Sequence, residues 1–287
     1  MKLVSGFKDY KIIDLNNGEK LELWGKYKLL RPEPQVVWNK NIDSKLYNEI
    51  DAKYIRNSKG GGHWEYNDNL PEDFVINYKN LKFKIGLMGF KHTGLFPEQS
   101  INWDYFIEKI SNCNKEIKVL NLFSYTGGAT VACMSAGAHV THVDSSKGMV
   151  DWAKDNIELS NLDTSKVRFI VEDVLKFVKR EIRRGKKYDA IIMDPPSFGR
   201  GSSGEIWDIN KHLFELLKLC NNLLEDDYLF LHVNSYTTGL GVSTINNLLN
   251  LTIDKKGIIK SDEIGIPVEN SNLILPCGIF CRIETEN

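Results

Sequence analysis

Lys118-Val119-Leu120-Asn121-Leu122-Phe123-Ser124-Tyr125-Thr126-Gly127-Gly128 is a mostly apolar run that breaks into paired glycines. A short Val/Leu run stopped by turn residues reads as a buried strand. The glycines let the backbone turn tightly and approach a neighbour or a ligand closely. The residues after them, 128–135, read as helix. The alternation then repeats. Strands are expected at 139–143, 167–171, 188–193 and 228–233, and helices at 147–159, 174–184 and 209–224. In the helix at 147–159, Val150, Ala153 and Ile157 share one face. Strand and helix in turn argue for an α/β fold: a doubly wound, mostly parallel, Rossmann-like sheet with helices on both faces. Ligands in such sheets sit at the C-terminal strand ends, near the switch in strand order. The apolar run 273–281 suits a last, edge strand.

Residues 1–84 read differently. Lys20-Leu21-Glu22-Leu23-Trp24 and Tyr27-Lys28-Leu29-Leu30 alternate in short pieces, broken by Arg31-Pro32-Glu33-Pro34. Short strands between turn residues suggest a small β-rich domain. Gly60-Gly61-Gly62 marks a flexible loop, and 81–85 a strand leading inward. The expected division is therefore 1–84 for the β-rich domain and 85–287 for the α/β domain. Trp24, Trp38, Trp64 and Tyr66 would permit stacking on bases; the same rings also suit that domain's own core.

The bulk properties are ordinary. The chain has 287 residues, 42% hydrophobic and 26% charged, enough for a sizeable core. No stretch reaches the roughly 20 apolar residues of a membrane span, and the N-terminus lacks a signal-peptide core. Cys113, Cys133, Cys220, Cys277 and Cys281 are odd in number and scattered, as expected for reduced thiols in the cytoplasm. No spacing marks a metal site: Cys277 and Cys281 have no second pair, and their apolar run suits buried strand residues. The net charge is −1, with +3 on residues 1–118 and −4 on the rest. A strongly basic nucleic-acid binder is excluded; RNA or DNA would have to be met through a local patch.

The strand ends collect acids. Asp144 closes the second strand, 17 residues beyond Gly127 and close to the roughly 20 between a glycine turn and a ribose-binding acid. Asp173 follows the third strand, where it could accept from an adenine amino group. Both acids also stand where helix caps belong. Asp194-Pro195-Pro196-Ser197-Phe198 follows the fourth. Proline offers no N–H and fixes φ, and it pushes the residue before it out of helix. The result is a stiff, acceptor-rich, negatively charged rim suited to a flat group bearing an amino donor. Phe198 could stack on such a group or pack beneath the loop. Neither Gly-x-Gly-x-x-Gly nor a Walker loop follows the first strand, so a nucleoside without phosphates fits better than a dinucleotide. A nicotinamide oxidoreductase is disfavoured on that ground.

Residues 118–240 resemble a class I S-adenosylmethionine-dependent methyltransferase. The 121–128 and 194–198 motifs, with Lys91-His92-Thr93-Gly94-Leu95-Phe96-Pro97-Glu98-Gln99, are similar to the ribosomal RNA large-subunit cytosine-C5 methyltransferase family. The resemblance implies S-adenosylmethionine as cofactor and RNA, ribosomal RNA in particular, as partner. It implies that Phe123, Tyr125, Thr126, Gly127 and Gly128 line the methionine portion. Asp144 would hold the ribose and Asp173 the adenine edge. Thr93, Phe96 and Gln99 would close the pocket. Asp194, Pro195, Pro196 and Phe198 would face the methyl group and the target.

One feature departs from that family. Cytosine C5 needs an enzyme nucleophile that adds to the ring, which the family supplies as cysteine. The matching stretch here, His232-Val233-Asn234-Ser235-Tyr236, has none, and Ser197 follows the prolines. The expectation is attack by an atom already nucleophilic, such as an exocyclic amine or an oxygen, with Asp194 orienting the donor N–H or taking its proton. His92 and His232 are candidate bases, or else core residues. A protein or small-molecule target, and a cofactor-binding protein without transfer, stay open.

Overall fold

The computed structural model describes all residues except 42, 58–60, 68–69, 202–203 and 286–287. The chain forms two compact units: 2–101 with 265–277, and 102–264 with 278–287 and Met1. The first unit thus runs past residue 84 and takes back a late segment.

In the first unit the strands are β1 (Lys2–Leu3), β2 (Tyr10–Asn16), β3 (Glu19–Trp24), β4 (Tyr27–Pro32), β5 (Ala52–Arg56), β6 (Gly62–Tyr66), β7 (Asp73–Tyr78) and β8 (Leu81–Gly86). Five of them form a sheet in the order β2-β3-β4-β5-β6, and β7-β8 is a hairpin. Leu21 and Trp24 are both fully buried, although alternation sets them on opposite faces of β3. Glu22, on the same face as Trp24, is also fully buried, and a buried carboxylate needs a partner. Arg31 explains it: Nε donates to Glu22 Oε2 at 2.6 Å and Nη2 to Oε1 at 2.8 Å, with Tyr10 Oη adding a bond at 2.7 Å. Burial pushes the Glu22 carboxyl up, but Arg31 and Lys20 outweigh it and hold it at about 2. Trp24 and Trp64 are core rings, and the Trp64 indole donates to Met88 O at 2.8 Å. Neither is free to stack on a base; Tyr66 is 58% exposed. Of the expected glycine loop, Gly60 lies outside the described residues. Gly62 opens β6, where a Cβ would meet Ile55 O at 2.3 Å, so the glycine serves close strand approach.

The second unit begins in α1 (Ser100–Ser111). It continues β9 (Lys118–Leu122), α2 (Gly128–Ser135), β10 (His139–Asp144), α3 (Lys147–Leu159), β11 (Val167–Val171), α4 (Val174–Arg183), β12 (Ala190–Met193), β13 (Phe198–Arg200), β14 (Ile206–Asp208), α5 (Ile209–Asn221), β15 (Phe230–Ser235), α6 (Val242–Thr252), β16 (Ile258–Pro267) and β17 (Ile274–Glu284). The unit division falls within β16 and within β17. The large sheet has eight strands in the order β1-β16-β17-β15-β12-β9-β10-β11, with the two-residue β1 at its edge. From β15 to β11 neighbours are parallel; β17 is antiparallel to β15. The expected edge strand is therefore internal. It lies between β15 and β16, pairing Ile279 with Ser235 through Glu284 with Phe230.

Side chains alternate along β9. Leu120 and Leu122 face a core with Phe177 and Val178 of α4, Leu213, Leu216 and Leu217 of α5, and Ile245 and Leu249 of α6. Asn121 faces the other way and donates to Thr130 of α2 at 2.9 Å. Helices thus cover both faces. The chain steps outward from β9 to β10 and β11, then crosses to β12 on the other side of β9. That switch point sets the C-terminal ends of β9 and β12 side by side.

Candidate active site

The loop from β9 to α2 is held in an uncommon conformation. Phe123 (φ 55°), Tyr125 (φ 51°) and Gly127 (φ 85°) all lie in the left-handed region. For Phe and Tyr this costs energy and persists only where surroundings enforce it. Asp144 supplies part of the enforcement: its Oδ2 accepts from Tyr125 N at 2.8 Å, and its Oδ1 from Ser146 N at 2.8 Å. Ser124 Oγ donates to Asn121 O at 2.6 Å and accepts from Val143 N. Asp144 is not the α3 cap, a place taken by Ser146. Burial pushes the Asp144 carboxyl above its ordinary range, with backbone N–H groups pulling against it.

The two glycines have packing reasons. A Cβ on Gly127 would stand 2.9 Å from Ala153 Cβ, and one on Gly128 2.9 Å from Trp103 Cζ2. Thr126 is buried, and its carbonyl accepts from Asn156 Nδ2 at 2.8 Å. Asp173 does cap α4, accepting from Lys176 N at 2.9 Å.

An open cleft lies at these strand ends. Phe123, Asp144, Ser145, Asp173, Val174 and Pro196 line it, with Gly199, Arg200, Gly201 and Trp207 from the β13-β14 hairpin. Four residues expected from the sequence meet here: Phe123, Asp144, Asp173 and Pro196. Tyr125, Thr126, Gly127, Gly128, Asp194, Pro195 and Phe198 are not in the lining; they belong to the loops that carry it. Phe198 is 55% exposed, so it does not pack beneath its loop. Thr93, Phe96 and Gln99 belong to the first unit, where Thr93 is buried and its hydroxyl meets Leu95 O at 3.4 Å.

Sequence reasoning missed the hairpin. Trp207 Nε1 donates to Pro196 O at 2.7 Å, and its ring centroid lies 4.7 Å from that of Phe123. One indole thus ties the Asp-Pro-Pro loop to the β9-α2 loop. The signal available was an isolated tryptophan twelve residues beyond Pro195.

Neither candidate histidine lines the cleft. His232 is buried between Phe106 (5.0 Å) and Phe280 (5.8 Å), its Nε2 3.1 Å from Asn234 Oδ1; burial lowers it to about 3. Burial also brings His92 down to about 4. Cys133, Cys220, Cys277 and Cys281 are buried, and burial pushes all five thiols up. None lines the cleft.

The cleft fits the adenosine part of S-adenosylmethionine. Phe123 and Val174 offer apolar surface that could take a base, and the Asp144 carboxylate is an acceptor that could take ribose hydroxyls.

The chain is 31% identical over 208 residues to the ribosomal RNA large subunit methyltransferase K of Neisseria meningitidis serogroup B, covering 69% of this chain and 58% of that one. It is 33% identical over 170 residues to the ribosomal RNA large subunit methyltransferase K/L of Shewanella frigidimarina, covering 58% of this chain and 23% of that one. It therefore spans less than two thirds of each. Among solved structures it is similar to a SAM-dependent methyltransferase from Agrobacterium tumefaciens, with TM-score 0.95 and 34% identity over 99% of this chain and 93% of that one. Residues 50–241, more than half of the chain, match the family described as S-adenosylmethionine-dependent methyltransferase. By that match, and with a carboxylate-bearing cleft at the switch point of its sheet, the chain belongs to the S-adenosylmethionine-dependent methyltransferases.

Proposed function

We propose that this protein methylates ribosomal RNA at an atom that is already nucleophilic, such as an exocyclic amine. The observation that carries the reading is the pairing of Asp144 in the cleft with the rigid Asp194-Pro195-Pro196 rim at the next strand end but one. S-adenosylmethionine, when bound, supplies an electrophilic methyl group on a sulfonium. Asp144 accepts the ribose hydroxyls; Phe123 and Val174 flank the base; Asp173 accepts at its edge. Gly127 and Gly128 let the loop backbone come close, and Tyr125 and Thr126 complete that loop. Asp194 accepts the hydrogen of the attacking N–H, orienting its lone pair. Pro195 and Pro196 keep that carboxylate from swinging, and the exposed Phe198 stacks on the target base.

RNA is favoured by the names of the two relatives, and a cytoplasmic location goes with that reading. No cysteine in the cleft favours an amine or oxygen over cytosine C5. The first unit would contribute to substrate recognition, through Tyr66 rather than the buried tryptophans, and Thr93, Phe96 and Gln99 would help enclose the cofactor. The test is incubation with methyl-labelled S-adenosylmethionine and deproteinised ribosomal RNA from a strain lacking the protein, followed by nucleoside mass spectrometry. One labelled nucleoside, an N-methyl or O-methyl product, is expected. No incorporation into RNA overturns the proposal, and 5-methylcytosine overturns the choice of atom.

A further inference from the structure

We infer that the outer face of α4 is a docking track for the phosphate backbone of the RNA substrate, leading away from the cleft. The inference rests on the RNA reading above and adds the surface that reading lacks.

Residues 119–287 carry 18 Lys and Arg against 22 Asp and Glu; seven of those cations and one of those acids fall within 176–187. The helix sorts them. Val174, Phe177, Val178 and Glu181 point inward. At 100° per residue, Lys176, Lys179 and Arg183 lie within about 60° of one another on the opposite side. Lys186 follows at the helix end, and all four are exposed. The single acid does not interrupt this face. Glu181 is fully buried, where it accepts from Tyr188 Oη at 2.7 Å and Arg168 at 3.1 Å.

Cations near a helix C-terminus are favoured by the macrodipole, but that effect fades within the last turn. It does not account for Lys176 and Lys179. These two pair with Glu205 and Glu215, in exposed ion pairs of the kind that add little to stability. Such lysines can exchange a carboxylate for a phosphate at small cost. Arg183 and Lys186 have no ion-pair partner among the described residues.

The placement connects this face to the chemistry. Asp173 and Val174, at the start of α4, line the cleft, as does exposed Arg200 of the hairpin. Lys176 bonds Glu205, which joins the hairpin to the helix. The track therefore begins at the cleft and extends about 15 Å along a ten-residue helix. A lipid surface fits poorly, because the apolar residues Val174, Phe177 and Val178 are spent in the core and leave nothing to insert.

The test is filter binding of deproteinised ribosomal RNA across a series of KCl concentrations. It compares the wild-type protein with the double variant Arg183→Gln/Lys186→Gln and the charge-keeping variant Arg183→Lys/Lys186→Arg. Loss of two phosphate contacts should flatten the salt slope by about 2 and weaken binding about tenfold at moderate salt. The charge-keeping variant should keep the wild-type slope, and S-adenosylhomocysteine affinity should be equal in all three. An unchanged slope in the glutamine variant, with wild-type protein still methylating RNA, overturns the inference alone. Wild-type protein that neither binds nor methylates RNA overturns the RNA reading itself. Binding to phosphatidylserine vesicles that is lost in the glutamine variant, with RNA binding unchanged, would assign the face to a membrane and overturn the inference.

Discussion

Asp144 holds its own loop with a carboxylate that, on the function proposed above, also receives the cofactor's ribose. Each oxygen accepts one backbone N–H, from Tyr125 and from Ser146, and each retains acceptor capacity toward the cleft. Burial raises its pKa, so the sign of the pH effect is fixed. Only the ionised form accepts from ribose hydroxyls with both oxygens, and it is lost as pH falls through the raised value. Titration calorimetry should show S-adenosylhomocysteine affinity constant near neutrality and falling on acidification, starting above the ordinary Asp value of about 3.9. In Asp144→Asn the affinity should be at least about tenfold weaker, as for loss of a charged hydrogen-bond acceptor, and without the acid decline. Gly127 makes a second residue-scale case. Its φ of 85° and the 2.9 Å that would separate an added Cβ from Ala153 Cβ act together, so Gly127→Ala should lose about 1–3 kcal/mol in urea unfolding. The glycine was legible in the sequence; its packing partner on α3 was not, because that contact depends on how the helix settles on the sheet.

Among the elements, β9, β11, α2 and α3 were legible to the residue, since turn and cap residues mark their ends. The β13-β14 hairpin was not. Its strands are three residues each, Phe198–Arg200 and Ile206–Asp208, too short to show a period. The rank of β17 was misread for a different reason. Pro276 and Gly278 suggest an edge, but Pro276 lies ahead of the segment paired with β15, and Gly278 (φ 85°) sits where a Cβ would stand only 2.6 Å from Ser235 O. The hairpin's contribution can be measured through Trp207→Phe. That change keeps a ring against Phe123 and removes the bond to Pro196 O. A net hydrogen bond is worth about 1 kcal/mol, so kcat/KM should fall about fivefold with little change in Tm. Unaltered kinetics would show that the indole N–H does not position the Asp-Pro-Pro loop.

For the molecule as a whole, charge and buried histidines set the response to solution conditions. His142 and His232 are fully buried, and burial lowers both to about 3. The unfolded chain, with ordinary histidine values near 6.5, therefore binds more protons than the folded one between about pH 3 and 6.5. Stability is fully present above that window and falls on acidification, by on the order of 2 kcal/mol per histidine at about pH 5. The urea midpoint should drop between about pH 7.5 and 5, and drop less in His232→Phe; a midpoint independent of pH would contradict this. The α/β class and the acids at the strand ends were legible because periodicity and order along the chain encode them. The return of 265–277 to the first unit was not, since it depends on contacts between distant segments. The claim on which the rest depends is that the strand-end cleft holds the cofactor through Asp144. Isothermal titration with S-adenosylhomocysteine tests it most directly. The account predicts clear binding to the wild type and to Asp194→Asn, and at least about tenfold weaker binding to Asp144→Ala. Equal binding to Asp144→Ala and wild type, or none to the wild type, would contradict it.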